Sequence, residues 1–195
     1  MSRRAGIVTA ILSLGLMAAS PVATNRWHYR SDPEGSAVSA RVAFLGLASK
    51  TAKFPQISGE LSLPATIGSE SRPITLDVAL DARALQAPDA LTLKRLKGPD
   101  FFDVDRFATI RFTGERLRMT GPRTADVTGS LTARGVTRPE TLHVSFDSQP
   151  DPRDRQPIGL TGTMRIDRRA YGMHAWSLIV GRKVDITIRT RMVPR

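Results

Sequence analysis

Cysteine is absent from the 195 residues. That excludes a disulfide framework, thiolate metal sites, a cysteine nucleophile and a lipid-bearing cysteine. Histidine is scarce: His28, His143 and His174 are the three. Metal ligation and proton transfer near neutral pH are therefore poorly supplied. Aromatic residues make up 6%, with two tryptophans and two tyrosines. They are not interleaved with basic clusters, as base-stacking platforms would be, so nucleic acid is not an expected partner. Long apolar runs are missing too. The longest uncharged apolar stretch, Ile7 to Ala19, falls short of the roughly 20 residues of a spanning helix.

What that stretch does have is the layout of an export signal. Arg3 and Arg4 precede it and small residues close it. The expected signal covers residues 1–24, with cleavage between 19 and 25, and one domain follows at 25–195. A periplasmic or otherwise exported protein is the expectation, and export is a second argument against nucleic acid. The net charge is +11, but it is dispersed. Arg116/Arg118, Arg153/Arg155, Arg168/Arg169 and Arg189/Arg191 are separate pairs, read as a solvated surface, with an anionic membrane surface as the other reading.

From Trp27 onward the hydrophobic period is two. Val38, Ala40, Val42 and Phe44 alternate with Ser39, Arg41 and Ala43; Ile74, Leu76, Val78 and Leu80 alternate with Thr75, Asp77 and Ala79. Such strands are apolar on one face and wet on the other. The pattern returns in Ile110/Phe112, Val127/Leu131/Ala133, Leu142/Val144/Phe146, Leu160/Met164/Ile166 and Val184/Ile186/Ile188. Turn-rich segments such as "GPRTAD" and "RGVTRPE" separate them. Seven to nine strands are expected, in an all-β antiparallel protein. A closed barrel with an apolar interior and a two-sheet sandwich share this signature. "PDALTLKRLKG" breaks the pattern. Asp89 can cap a short helix and Gly98 can end it, so a helix is expected to cross one end of the barrel. "TARGVTRPETLHV" reads as an edge strand that is either open to pairing or protected by Pro139 and its charges.

"DFFDVD" puts Asp100, Asp103 and Asp105 within six residues. Ca²⁺ loops space oxygen ligands around a central glycine. Here Phe101, Phe102 and Val104 intervene, and Arg106 stands where that glycine would. No metal site is expected. A paired-carboxylate acid–base site needs one buried acid facing its partner across a cleft, which a local cluster does not supply. The expected role of Asp100 or Asp103 is to accept backbone N–H bonds in a turn. Arg106 and Arg111 would offset charge outside, and Phe101 and Phe102 would point into the barrel.

"GPDFFDVDRFATIRF" resembles the signature of the YceI-like family of bacterial exported proteins. "AVSARVAFLGLASKTAKFPQISGEL" is similar to that family's first hairpin, "VTGSLTARGVTRPETLHV" to its strand–turn–strand, and "VGRKVDITIRTRM" to its closing strand. The likeness spans Trp27 to Met192. It implies a lipocalin-like antiparallel β-barrel with an elongated apolar channel, which the short helix read at Asp89–Gly98 would cross at one end. It also implies binding of polyisoprenoid or other long-chain lipids, often as a homodimer, with isoprenoid quinones near a membrane cytochrome as one variant. The chain departs from the family at Thr92–Leu96, where an acid and a histidine are replaced, and at Gly35 and Phe44, where histidines are replaced.

The leading expectation is a non-enzymatic periplasmic carrier of a polyisoprenoid, an isoprenoid quinone or a fatty-acid-like lipid, with no cofactor beyond such a bound molecule. An apolar tunnel gains roughly 0.8 kcal/mol per CH₂ buried. The candidate lining residues are Val42, Phe44, Phe54, Ile74, Leu76, Val78, Phe101, Phe102, Phe112, Leu131, Val144 and Phe146; plain core packing is the competing role of each. The alternative is a lipid-modifying hydrolase or isomerase on the same barrel. It would need a base, and neither His143 nor His174 has a recognisable partner in the sequence.

Overall fold

Antiparallel strands closed into a ring account for most of the chain. The computed structural model describes residues 26–65, 70–151 and 154–195, and the expected export signal lies outside them. Ten strands follow in order: β1 Arg26–Ser31, β2 Ala37–Phe44, β3 Ala48–Phe54, β4 Ile57–Pro64, β5 Arg72–Asp81, β6 Thr109–Gly121, β7 Thr124–Ala133, β8 Val136–Phe146, β9 Ile158–Asp167 and β10 Val180–Pro194. The single α-helix described, α1, spans Ala90–Lys97.

The expected seven to nine strands become ten because two staves of the barrel are broken. β10 pairs along its first half with β2 and at its end with β1. β4 pairs with β1 and β3 with β2. The two breaks fall at Asp32–Ser36, with Pro33 and Gly35, and at Pro55-Gln56. Counted as staves there are eight, and the β1–β10 pairing closes the ring. Closure selects the barrel over the sandwich.

Alternation carries through. On β4, Ile57, Gly59, Leu61 and Leu63 are buried while their neighbours face outward. On β6 the inward set shifts phase after Gly114, where the register to β7 slips before Arg116. One bulge thus reconciles Ile110, Phe112 and Leu117 with a single interior.

Two local departures open one end of the barrel. The outer edge of β3 meets no strand; Lys53 exchanges backbone bonds with Gln86 at 2.9 and 2.8 Å, and α1 follows. On the other side, β8 pairs with β9 only from His143 to Phe146. Its stretch before that is the suspected edge. It is capped: the Tyr171 hydroxyl donates to Glu140 Oε1 at 2.8 Å, and Arg138 Nε donates to the Ala170 carbonyl. Burial first, then the Glu140 bond, push the Tyr171 phenol above its ordinary value, so it stays a donor.

Candidate ligand channel

Helix α1 lies across the open end. The Asp89 carboxylate accepts from Thr92 N at 2.8 Å, a cap that starts the helix. The Gly98 amide closes it on Lys94 and Arg95 carbonyls. No α1 residue is buried, although Leu93 and Leu96 pack on the core. The helix therefore covers an opening rather than filling it. Lys50 Nζ on β3 holds Asp89 Oδ2 at 2.8 Å, and the Arg95 guanidinium stacks on Trp176 at 4.3 Å, so α1 spans from β3 to the loop before β10. The Lys50 bond, followed by those from Thr92, holds the Asp89 carboxyl far below its usual range. The cap therefore persists at pH values where a free aspartate protonates, and weakens only as pH falls below them. Asp89→Ala should speed hydrogen exchange of the first-turn amides of α1 while the strands keep their protection. Unchanged α1 exchange would show the cap to be irrelevant.

The turn after α1 aims the two phenylalanines. The Phe101 and Asp103 amides both donate to the Gly98 carbonyl, Phe102 N to Leu96 O and Val104 N to Lys97 O. The Asp103 carbonyl accepts from Arg106 and Phe107. Asp103 sits in the left-handed region at φ 50°, which aspartate tolerates better than most residues. Backbone bonds, not the expected carboxylate acceptors, thus hold this turn. The buried Asp103 carboxylate instead faces Arg106 NH1 at 3.3 Å. Arg111 does not offset the cluster either: it pairs with Asp77 on β5, Nε to Oδ1 2.7 Å. Phe102 meets Phe54 edge-on, with centroids 5.7 Å apart.

Below the helix lies a cavity of about 290 Å³. Of the twelve candidate residues, Val42, Phe44, Phe54, Val78, Phe101, Phe102, Phe112 and Leu131 line it. A second space of about 60 Å³ lies deeper, and Ile74, Leu76, Val78, Val144 and Phe146 line that one. Val78 and Ile188 belong to both walls and mark the pinch between them. Small-molecule pockets run from about 300 Å³ upward, so the upper space is of ligand size and the lower could take only the end of a chain.

Among the mouth residues that sequence reasoning missed are Arg95, Trp176 and Arg168. Arg168, read as part of a solvated pair, is 2% exposed. Its Nε donates to the Gly181 carbonyl at 2.9 Å and NH2 to Val180 at 3.0 Å, and NH1 bonds the Met173 carbonyl. Its guanidinium stands over the Phe101 ring at 5.8 Å. Burial, then neighbouring Arg169, hold its pKa below the ordinary arginine value, yet arginine keeps its proton in proteins. A signal existed: the inward alternation Met164, Ile166 continues to 168. His143 also gains a partner that the sequence did not show. Its Nδ1 lies 2.8 Å from Asp126 Oδ1 on the outer wall, where Arg118 joins at 3.1 Å. The His143 bond is the first cause holding Asp126 below its usual value, partly opposed by burial.

A family model for the YceI-like domain matches residues 29–192. The chain belongs to the YceI-like family. A UPF0312 protein of Vibrio vulnificus is 32% identical over 157 residues, 79% of this chain and 82% of the relative. One from Pseudomonas fluorescens is 30% identical over 172 residues, 86% and 83% respectively. Among solved structures, Burkholderia cenocepacia BcnA superposes with a TM-score of 0.70 at 19% identity, over 83% of this chain and 98% of that one. A polyisoprenoid binding domain from Saccharophagus degradans, implicated in plant cell wall breakdown, gives 0.65 at 12% identity, over 86% and 98%. These confirm the barrel for this YceI-like chain. At the Thr92–Leu96 departure, the position of the acid is Leu93, which packs on the core, and the position of the histidine is Arg95, which stacks on Trp176.

Proposed function

We propose that this YceI-like barrel is a non-enzymatic carrier of a long apolar molecule, a polyisoprenoid, isoprenoid quinone or fatty-acid-like lipid, in the periplasm. The observation that carries the reading is the apolar cavity of about 290 Å³ beneath α1. Apolar burial alone can bind a chain tightly there. The tail would run down past Phe101 and Phe102 toward Val78, and the head would stay among Lys50, Thr92 and Arg95 at the mouth. A polyisoprenoid-binding barrel of the same fold supports the reading. A lipid-modifying enzyme fits less well, because His143 bonds Asp126 on the outside of the barrel and does not reach the channel. The ligand would be exchanged with an anionic membrane surface or a membrane cytochrome, by a monomer or a homodimer alike.

The test is direct. Mature protein purified from a bacterial host should release a stoichiometric prenyl or acyl lipid into organic solvent, identified by mass spectrometry. An empty protein with no affinity for such chains would sink the proposal.

A further inference from the structure

The large apolar side chains exposed among the described residues are Leu45, Leu47, Leu91, Trp176 and Leu178. They come from three separate pieces of chain: the β2–β3 turn, the first turn of α1 and the loop before β10. All three pieces meet at one place. Leu45 N donates to Ile179 O at 2.7 Å, joining the β2–β3 turn to the loop. Arg95 on Trp176 joins the loop to α1, and Lys50 with Asp89 joins α1 to β3. Leu91, Trp176 and Ile179 also line the channel. The five apolar side chains therefore form a collar around the channel mouth, and Leu47 and Leu178 are both 101% exposed at its tips.

Singly exposed leucines need no explanation, but a collar confined to one opening does. Its charge points to one occupant. Lys94 and Arg95 on α1 and Arg182 and Lys183 on β10 are exposed around it, with Lys50 inside the rim. Two nearby acids are already engaged: Asp89 with Lys50, and Asp167 at 3.7 Å from both Arg182 and Lys183. Apolar tips within a cationic surround match the boundary of an anionic bilayer, where acyl chains lie under negative head groups.

We propose that the mouth end docks on an anionic lipid bilayer, with Leu47 and Leu178 inserted at the head-group level and the basic residues on the lipid phosphates. The channel then opens into the membrane, and a ligand enters without crossing water. The docking rests on the carrier reading only for what passes through the mouth.

Sedimentation with protein-free vesicles tests it. Wild-type protein should bind phosphatidylcholine vesicles containing phosphatidylglycerol, bind pure phosphatidylcholine weakly, and lose binding as salt rises. In a Trp27→Phe background, emission from Trp176 should shift to the blue on binding. The double variant Leu47→Glu/Leu178→Glu, at fully exposed positions, should keep its circular dichroism but lose at least about tenfold in partition. Equal binding by the double variant, or no wild-type binding at low salt, overturns the docking. So does binding only to membranes that retain their proteins, which assigns the collar to a protein partner. Solvent extraction of the same samples keeps the two proposals apart. A loaded barrel that ignores vesicles defeats docking alone, and an empty barrel that binds vesicles defeats carriage alone.

Discussion

Ala40→Trp should remove long-chain binding by about 100-fold and leave the barrel folded. Ala40 lies on β2 opposite Ile186 and Ala52 and faces the upper cavity. An indole there occupies space that side chains leave empty. Excluding four CH₂ groups of a ligand forfeits about 3 kcal/mol at roughly 0.8 kcal/mol each, which is about two orders of magnitude in Kd. The usual overpacking cost of about 1–3 kcal/mol is reduced because a void receives the ring. Titration with a fluorescent fatty acid measures the first effect and thermal melting the second. Arg41→Trp, one residue along on the exposed face, is the control and should bind as wild type does. If Ala40→Trp loses less than about threefold in affinity, the chain does not lie in this cavity.

The prediction can be made from one residue because period two assigns faces reliably. All twelve candidate lining residues, most of them chosen by alternation, stand on the wall of one cavity or the other. In a closed barrel there is one inside, so an apolar inward position has nowhere else to go. What alternation could not show is which part of that inside is empty. Val144 and Phe146 border a space of about 60 Å³, while Val42 and Phe44 border one of about 290 Å³, yet all four obey the same pattern. Volume depends on the partners across the barrel, and those are fixed by register between strands far apart in sequence. The broken staves were hidden for a related reason: Asp32–Ser36 and Pro55-Gln56 look like ordinary turns, and only the pairing of β10 with both β1 and β2 makes the first an interruption of a stave, as the pairing of β4 with β1 and of β3 with β2 does for the second. Arg168 was misread because charge outweighed phase. Its position says inward, and the carbonyls of Met173, Val180 and Gly181 that make burial tolerable lie on a loop whose course the sequence does not show.

Gly129→Ala should be the most damaging small substitution in the described barrel wall, lowering stability by about 3 kcal/mol or more and the melting temperature by about 10 °C. Gly129 pairs with Gly114 across β6 and β7. A Cβ at 129 would stand 2.1 Å from the Thr113 carbonyl oxygen and 2.8 Å from the Gly114 Cα. Both are backbone atoms of the facing strand, so no rotamer relieves the clash and the ladder itself must part. Gly46→Ala is the informative comparison. Gly46 has φ 71° with nothing within 4 Å of its Cβ, so it carries only the left-handed penalty of about 1–2 kcal/mol. If Gly129→Ala melts no lower than Gly46→Ala, the strands do not approach as closely as the register requires. The close approach also has a place in the channel. A Cβ on Gly114 would meet Val127 at 2.7 Å and Leu76 at 3.1 Å, and both line the narrow lower space. The glycine pair thus lies at the level of the narrow lower space, beneath the upper cavity and the pinch at Val78 and Ile188.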